Sequence, residues 1–161
     1  MVISLLVLLL PLVVLFGVFR WISAGSDVAA VDQEPAVSAA RSAGLAAATP
    51  VGLAEGWVPV SAVFQRGDGG LTLRLGYLTP AGDSVQLVQS TRPVEPLLTA
   101  ELGSQARPGG ESSLATGVWQ TYVEVRGGAE RALVRLEPDR TTIVVGGTPE
   151  AELRELAAAT G

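Results

Sequence analysis

Leu71-Thr72-Leu73-Arg74-Leu75-Gly76-Tyr77 sets Leu71, Leu73, Leu75 and Tyr77 against Thr72, Arg74 and Gly76 along an extended chain. A period of two marks a strand with one face on a core. Just upstream, Arg66-Gly67-Asp68-Gly69-Gly70 has turn chemistry. Before it, Val58, Val60, Ala62 and Phe64 alternate with Pro59, Ser61 and Gln65. Downstream, Pro80-Ala81-Gly82-Asp83 turns the chain, and Val85, Leu87 and Gln89 alternate again. Three strands joined by tight turns predict an antiparallel meander.

Between Ser90 and Leu102 the period changes. Val94, Leu97, Leu98 and Leu102 fall at helical spacing, so a short helix is expected from about Glu95. A Gly/Ser-rich loop from Gly103 to Ser113 is expected next. In a second meander, Trp119, Thr121, Val123 and Val125 are expected to share a face, followed by Ala132, Val134 and Leu136, then Ile143 and Val145. Gly127-Gly128 and Pro138-Asp139 supply its turns. A closing helix starts with Thr148 as cap and Pro149 in the first turn, with Leu153, Leu156 and Ala157 as its apolar stripe. An opening helix has Asp32 as cap, Pro35 near its start and Gly44 past its end. The order is helix, three strands, helix, three strands, helix. The expected class is α+β: an antiparallel sheet of about six strands with helices packed on one face, in a domain spanning 34–161.

Ahead of this domain, Met1 to Phe19 is one apolar run broken only by Ser4 and closed by Arg20-Trp21. Its length matches the ~17–25 residues of a membrane-spanning helix. A cleavable signal needs a basic segment before a shorter apolar stretch. No Arg or Lys precedes this run, although Ile22-Ser23-Ala24 and Val28-Ala29-Ala30 resemble cleavage sites. The expectation is a retained single-pass anchor at 1–22, touching the membrane through residues 2–21, with a tether at 23–33. A lone Arg20 on the C-terminal flank, read by the positive-inside rule, would keep the domain in the cytoplasm. Long domains cross largely regardless of charge, so the expected localisation is the plasma membrane with the C-terminal domain outside the cytoplasm. A start upstream of Met1 would supply the missing basic flank.

Composition narrows the chemistry. All eleven basic residues are Arg, and Lys, Asn, His and Cys are absent, a usage that fits a GC-rich bacterial genome. The usual zinc and copper ligands, the thiol nucleophile, the disulfide and the commonest general bases are therefore missing. No enzyme, cofactor or metal is expected, although a hydrolase built from carboxylates alone stays open. From Trp21 on, ten Arg face sixteen acidic residues, a balance of about −6. An acidic domain whose sequence shows no basic patch is not expected to bind nucleic acid.

Few residues point to a site. Gly and Asp in Arg66-Gly67-Asp68 are what a hairpin turn demands. Asp68, Asp83 and Asp139 sit in separate turns, without a calcium-loop spacing. Glu124 and Glu137 read as ordinary exposed strand residues. Trp57 and Trp119 read as core anchors. Tyr122 points away from Trp119's face, with Glu124. Together with Arg74 these two form the candidate binding face, a groove to which Gly76 also contributes.

Several segments, taken in order, resemble an uncharacterised actinobacterial membrane-anchored family, domain of unknown function 4245. They are Gly52-Leu53-Ala54-Glu55-Gly56-Trp57, Gly76-Tyr77-Leu78-Thr79-Pro80 running to Val85–Ser90, Gly117-Val118-Trp119-Gln120, Glu130–Val134, and Ala151–Ala157. The resemblance implies a single-pass envelope protein without known activity, and it supplies no catalytic residues. Two functions are carried forward. One is an interaction or sensor module that meets another envelope protein; the other is a binder of an apolar envelope molecule in a groove between sheet and helices.

Overall fold

The computed structural model describes residues 29–67, 69–128 and 130–161. The expected anchor, the tether up to residue 28 and Asp68 lie outside the described residues. Among the described residues no helix is long and apolar enough to cross a membrane. The chain forms α1 (Glu34–Ser42), β1 (Val58–Gly67), β2 (Gly70–Leu78), β3 (Ser84–Ser90), α2 (Val94–Leu102), β4 (Arg107–Leu114), β5 (Gly117–Val125), β6 (Glu130–Leu136), β7 (Thr141–Gly146) and α3 (Glu150–Ala159). The strands make one antiparallel sheet in the order β1-β2-β3-β7-β6-β5-β4. Two meanders meet where β3 pairs with β7, and the class is α+β as expected.

The sheet has seven strands, not about six. The segment expected as a Gly/Ser loop contains β4, whose sequence Arg-Pro-Gly-Gly-Glu-Ser-Ser-Leu shows no apolar alternation. It is a mostly exposed edge strand paired only with β5, and a bulge between Pro108 and Gly110 absorbs its irregularity. Edges and bulges are where strands accept Pro and Gly.

Helices cover both faces of the sheet, not one. α1 and α3 pack with Leu73, Leu75, Leu87, Trp119, Leu133 and Val144. α2 covers the opposite face, on Val88, Ala132, Val134, Ile143 and Val145. The cause lies in the central strands: Ala132-Leu133-Val134 and Ile143-Val144-Val145 are unbroken apolar runs, buried throughout. Continuous runs belong to strands covered on both sides. Reading every second residue hides half of them.

Two bulges shift faces that simple alternation would keep together. On β5, Tyr122 pairs with Ala132 and Val125 with Glu130, so Val123 and Glu124 together oppose Arg131. Glu124 takes φ +56° there. Val125 thereby joins α2's face, opposite Trp119, although the two were expected on one face. On β1, a shift between Pro59 and Ser61 moves Val58 off the side of Ala62 and Phe64.

The helix termini follow local chemistry. The Asp32 carboxylate accepts the Glu34 N–H at 3.0 Å. At α3, Pro149 occupies the cap position, and the Thr148 hydroxyl donates to the Glu152 carboxylate rather than capping a backbone amide. Leu153, Leu156 and Ala157 are buried as expected. Just ahead of α1, the Val31 N–H donates to Pro59 O at 2.8 Å. The chain therefore joins the sheet at the end where β1 starts. Between α1 and β1, the fully buried Gln89 holds the Ala48 backbone at both its N–H and its C=O, at 2.8 and 2.7 Å.

Ile143 and Val144 point to opposite layers and are each fully buried. Ile143→Ala and Val144→Ala are each expected to lower unfolding free energy, the former by about 2–4 kcal/mol, in urea titrations of the full chain. A sheet covered on one face would lose stability from only one of the two.

Candidate functional site

Arg74 lies on α2's side of β2, but it is already occupied. It ion-pairs with Glu101 of α2 and donates to Gln65 Oε1 at 2.6 Å. Glu101 is buried, and Arg126 approaches its other oxygen at 3.8 Å while donating to its main-chain oxygen at 2.7 Å. Arg126 also reaches Gln86 at 3.2 Å and Glu130 at 3.3 Å. Arg74 and Arg126 thus fasten the C-terminal turn of α2 to the sheet. A helix C-terminus is unfavourable for a carboxylate, so these two cations are what make Glu101 tolerable there.

Tyr122 lines a surface cleft of about 430 Å³ on the other side of α2. Leu98 and Leu102 of α2, Ala106, and Pro108 of β4 form its apolar wall, with Glu95 and Thr99 at the rim. Glu124 is displaced by the bulge and pairs with Arg107 at 3.3 Å in solvent, where such a contact contributes little. The three candidate residues therefore do not share one groove. β2 and β5 are separated by β3, β7 and β6, or ~19 Å at ~4.8 Å per strand spacing. Simple alternation put Tyr122 and Arg74 on one face correctly, but strand order could not be read from it. Gly76 faces Ser61, where a Cβ would come within 2.3 Å of Ser61 Oγ. It is there for close strand approach and lines no groove with Tyr122.

Glu137 lies at the opposite end of the sheet from Glu124, so the two are no carboxylate pair. It accepts from Arg140 Nε and Thr142 Oγ1, each at 2.9 Å, and from Arg135 at 3.0 Å. Burial raises its pKa, but the hydrogen bonds from Arg140 and Thr142 and the charges of Arg140 and Arg135 outweigh this and hold it below the usual carboxylate range. Arg135 is itself buried, its guanidinium 5.0 Å above the ring of fully buried Trp119. Among the described residues no group of three His, Cys, Asp or Glu side chains is placed to hold a metal ion.

At the same end, the fold assembles a feature that sequence order conceals. A cleft of about 350 Å³ is lined by Arg66, Arg74 and Arg92. A smaller one of about 180 Å³ shares Arg92 and runs past Pro93, Val94, Pro138 and Asp139 to Arg140. A third, of about 680 Å³, shares Arg140 and continues along Leu45–Thr49 and Val51 to Arg41. Three neighbouring clefts at the sheet end farthest from Val31 are thus lined between them by five arginines. No local pattern announces them, because four of the arginines sit at or just beyond the ends of different elements and Arg74 lies in the middle of β2.

The motif residues meet at another corner. Trp57 Nε1 and the Ala54 N–H both donate to Glu155 Oε1 of α3 at 3.1 Å. The Trp57 ring meets Tyr77 edge-on, with centroids 6.4 Å apart. Gly56, at φ +97°, lies so close to Pro80 that a Cβ would come within 3.1 Å of it. The Tyr77 hydroxyl donates to Gln33 Oε1 at 2.6 Å, and Gln33 Nε2 donates to Ser61 O at 2.9 Å. The family model described as Protein of unknown function (DUF4245) matches residues 1–160. The chain belongs to this family. A comparison with curated proteins gave no match. In this DUF4245 chain the Gly-x-x-x-Gly-Trp, Gly-Tyr-x-x-Pro and α3 segments hold one another, and no cleft described above opens between them. Trp119 is the core anchor expected, while Trp57 is half-buried against the same core.

Glu101→Ala is expected to cost about 3 kcal/mol, because it strands two arginines against the sheet, and to increase hydrogen exchange in α2 before β7. The depressed pKa of Glu137 gives stability that is present above the ordinary carboxylate pKa and lost as pH falls through its lowered value. Glu137→Gln should therefore flatten the acid limb of a stability–pH curve measured by urea denaturation. Burial drives the Tyr77 hydroxyl up to about 12, against a lowering by Gln33. Its contribution is full below pH 10 and lost as pH rises toward 12, so Tyr77→Phe should be less alkali-sensitive.

Proposed function

We propose that this DUF4245 protein is a non-enzymatic interaction module, held at the plasma membrane by residues 2–21, with its domain outside the cytoplasm. Packing between the layers carries the reading. On α2's side, Val88, Leu97, Leu102, Ile143 and Val145 are at most 1% exposed. On the α1/α3 side, Leu73, Leu75, Leu87, Val144 and Leu156 are fully buried. A carrier of an apolar molecule needs space between sheet and helices, and here that space is filled by side chains. The clefts described are open surface features, which suits contact with another protein.

The apolar-ligand reading keeps one specific support, the Tyr122 cleft. Its ~430 Å³ falls within the ~300–1,000 Å³ of small-molecule sites. A half-buried Tyr beside Leu98 and Leu102 is a reasonable platform for an apolar chain.

Protease added to intact spheroplasts is expected to digest the domain, and a photo-crosslinker in whole membranes is expected to join it to an envelope protein. Protection of the domain would reject the orientation. Co-purified lipid in native mass spectra that is lost in Tyr122→Ala would favour the second reading.

A further inference from the structure

We propose that the three neighbouring arginine-lined clefts at the sheet end remote from Val31 together dock an extended acidic segment of a partner protein. This rests on the interaction-module reading and names its surface and the chemistry of its partner. The domain is acidic overall, yet the residues lining these clefts include Arg41, Arg66, Arg74, Arg92 and Arg140 against only Glu137 and Asp139 among the described residues. Glu137 is already neutralised by Arg135 and Arg140, and Arg74 by Glu101. Asp139 is exposed and opposes an anion locally. Arg92 makes no ion pair among the described residues, and Arg66 stands over the Phe64 ring at 5.5 Å with no carboxylate partner among them. Among the described residues the lining cations without an ion pair are therefore Arg66, Arg92 and Arg41, while Asp68 in the turn after Arg66 adds one opposing charge by sequence.

Position and lining select the partner. Arg66 lies eight residues along β1 from Val58, so the two stand ~26 Å apart at ~3.3 Å per residue. Val31 enters at the Val58 end, so the clefts lie at the sheet end opposite the point where the described chain begins. Between the arginines lie apolar groups: Pro93, Val94 and Pro138 in the middle, and Val51, 78% exposed, at one end. A polymer of phosphates alone would leave these uncovered. An extended peptide that alternates carboxylates with small apolar side chains would cover both, since Arg guanidinium binds carboxylate in a two-pronged fashion.

The test is fluorescence anisotropy of the full chain in zwitterionic detergent, using a labelled peptide of six Glu-Ala repeats. Its Gln-Ala counterpart and inorganic polyphosphate serve as comparison probes. Binding of Glu-Ala at least tenfold tighter than Gln-Ala is expected, with a tenfold loss in Arg66→Glu/Arg92→Glu and a smaller one in Arg66→Gln/Arg92→Gln. Arg131→Glu/Arg154→Glu changes net charge equally at other surface sites, where both arginines pair with Glu150, and should lose less than threefold. Urea midpoints of all variants establish that they are folded. Equal losses in the two charge-reversed variants would overturn the location. Tenfold tighter binding of polyphosphate would overturn the peptide assignment, and no binding of Glu-Ala would overturn the proposal. Spheroplast digestion and membrane crosslinking report on the interaction-module reading independently.

Discussion

Everything in this fold follows from the pairing of β3 with β7. These strands join the two meanders at the middle of the sheet, with Leu87 opposite Val144 and Val88 opposite Ile143. The first pair lies on the α1/α3 face and the second on the α2 face, and an apolar face left in water costs roughly 25 cal/mol per Å². Both faces must therefore be covered. α1 and α3 close one, and α2, pinned through Glu101 between Arg74 and Arg126, closes the other. With the helices following β3 and β7 on opposite faces, the two halves are not related by a twofold axis through the sheet.

Much of this was legible. Leu71–Tyr77 fixed β2 with its correct faces, the tight turns fixed the antiparallel meanders, and α3 read true at Leu153, Leu156 and Ala157. The errors have physical causes. β4 lacks apolar residues because an edge strand need not bury any. The β5 bulge rests on Glu124, a residue type that does not advertise a left-handed backbone. The second helix layer is written in Ala132-Leu133-Val134 and Ile143-Val144-Val145, whose continuity a period of two hides. The candidate site suffered most. Simple alternation sets Arg74, Tyr122 and Glu124 on one face, and face alone does not give strand order. The arginine-lined clefts had a signal of a different kind. In a meander every second connection falls at the same end; Arg66 and Arg140 lie at such turns, and Arg92 lies where the chain leaves β3 for α2.

The result is a domain with a closed interior and a differentiated surface. Trp57, Tyr77, Pro80 and Glu155 hold the corner where the described chain enters. α2 divides its face of the sheet into an arginine-lined side and an apolar cleft at Tyr122. Both lie on a scaffold whose layers are filled, which is why recognition is proposed at the surface and not within.

The dependence of the whole on β3 and β7 is tested most directly by hydrogen–deuterium exchange of the full chain under native conditions. Amides of β3 and β7 are expected to exchange slowest and only by global unfolding, with β4 much faster and α2 between. Protection of β4 equal to that of β7, or early exchange in β3 with α2 intact, would contradict the account.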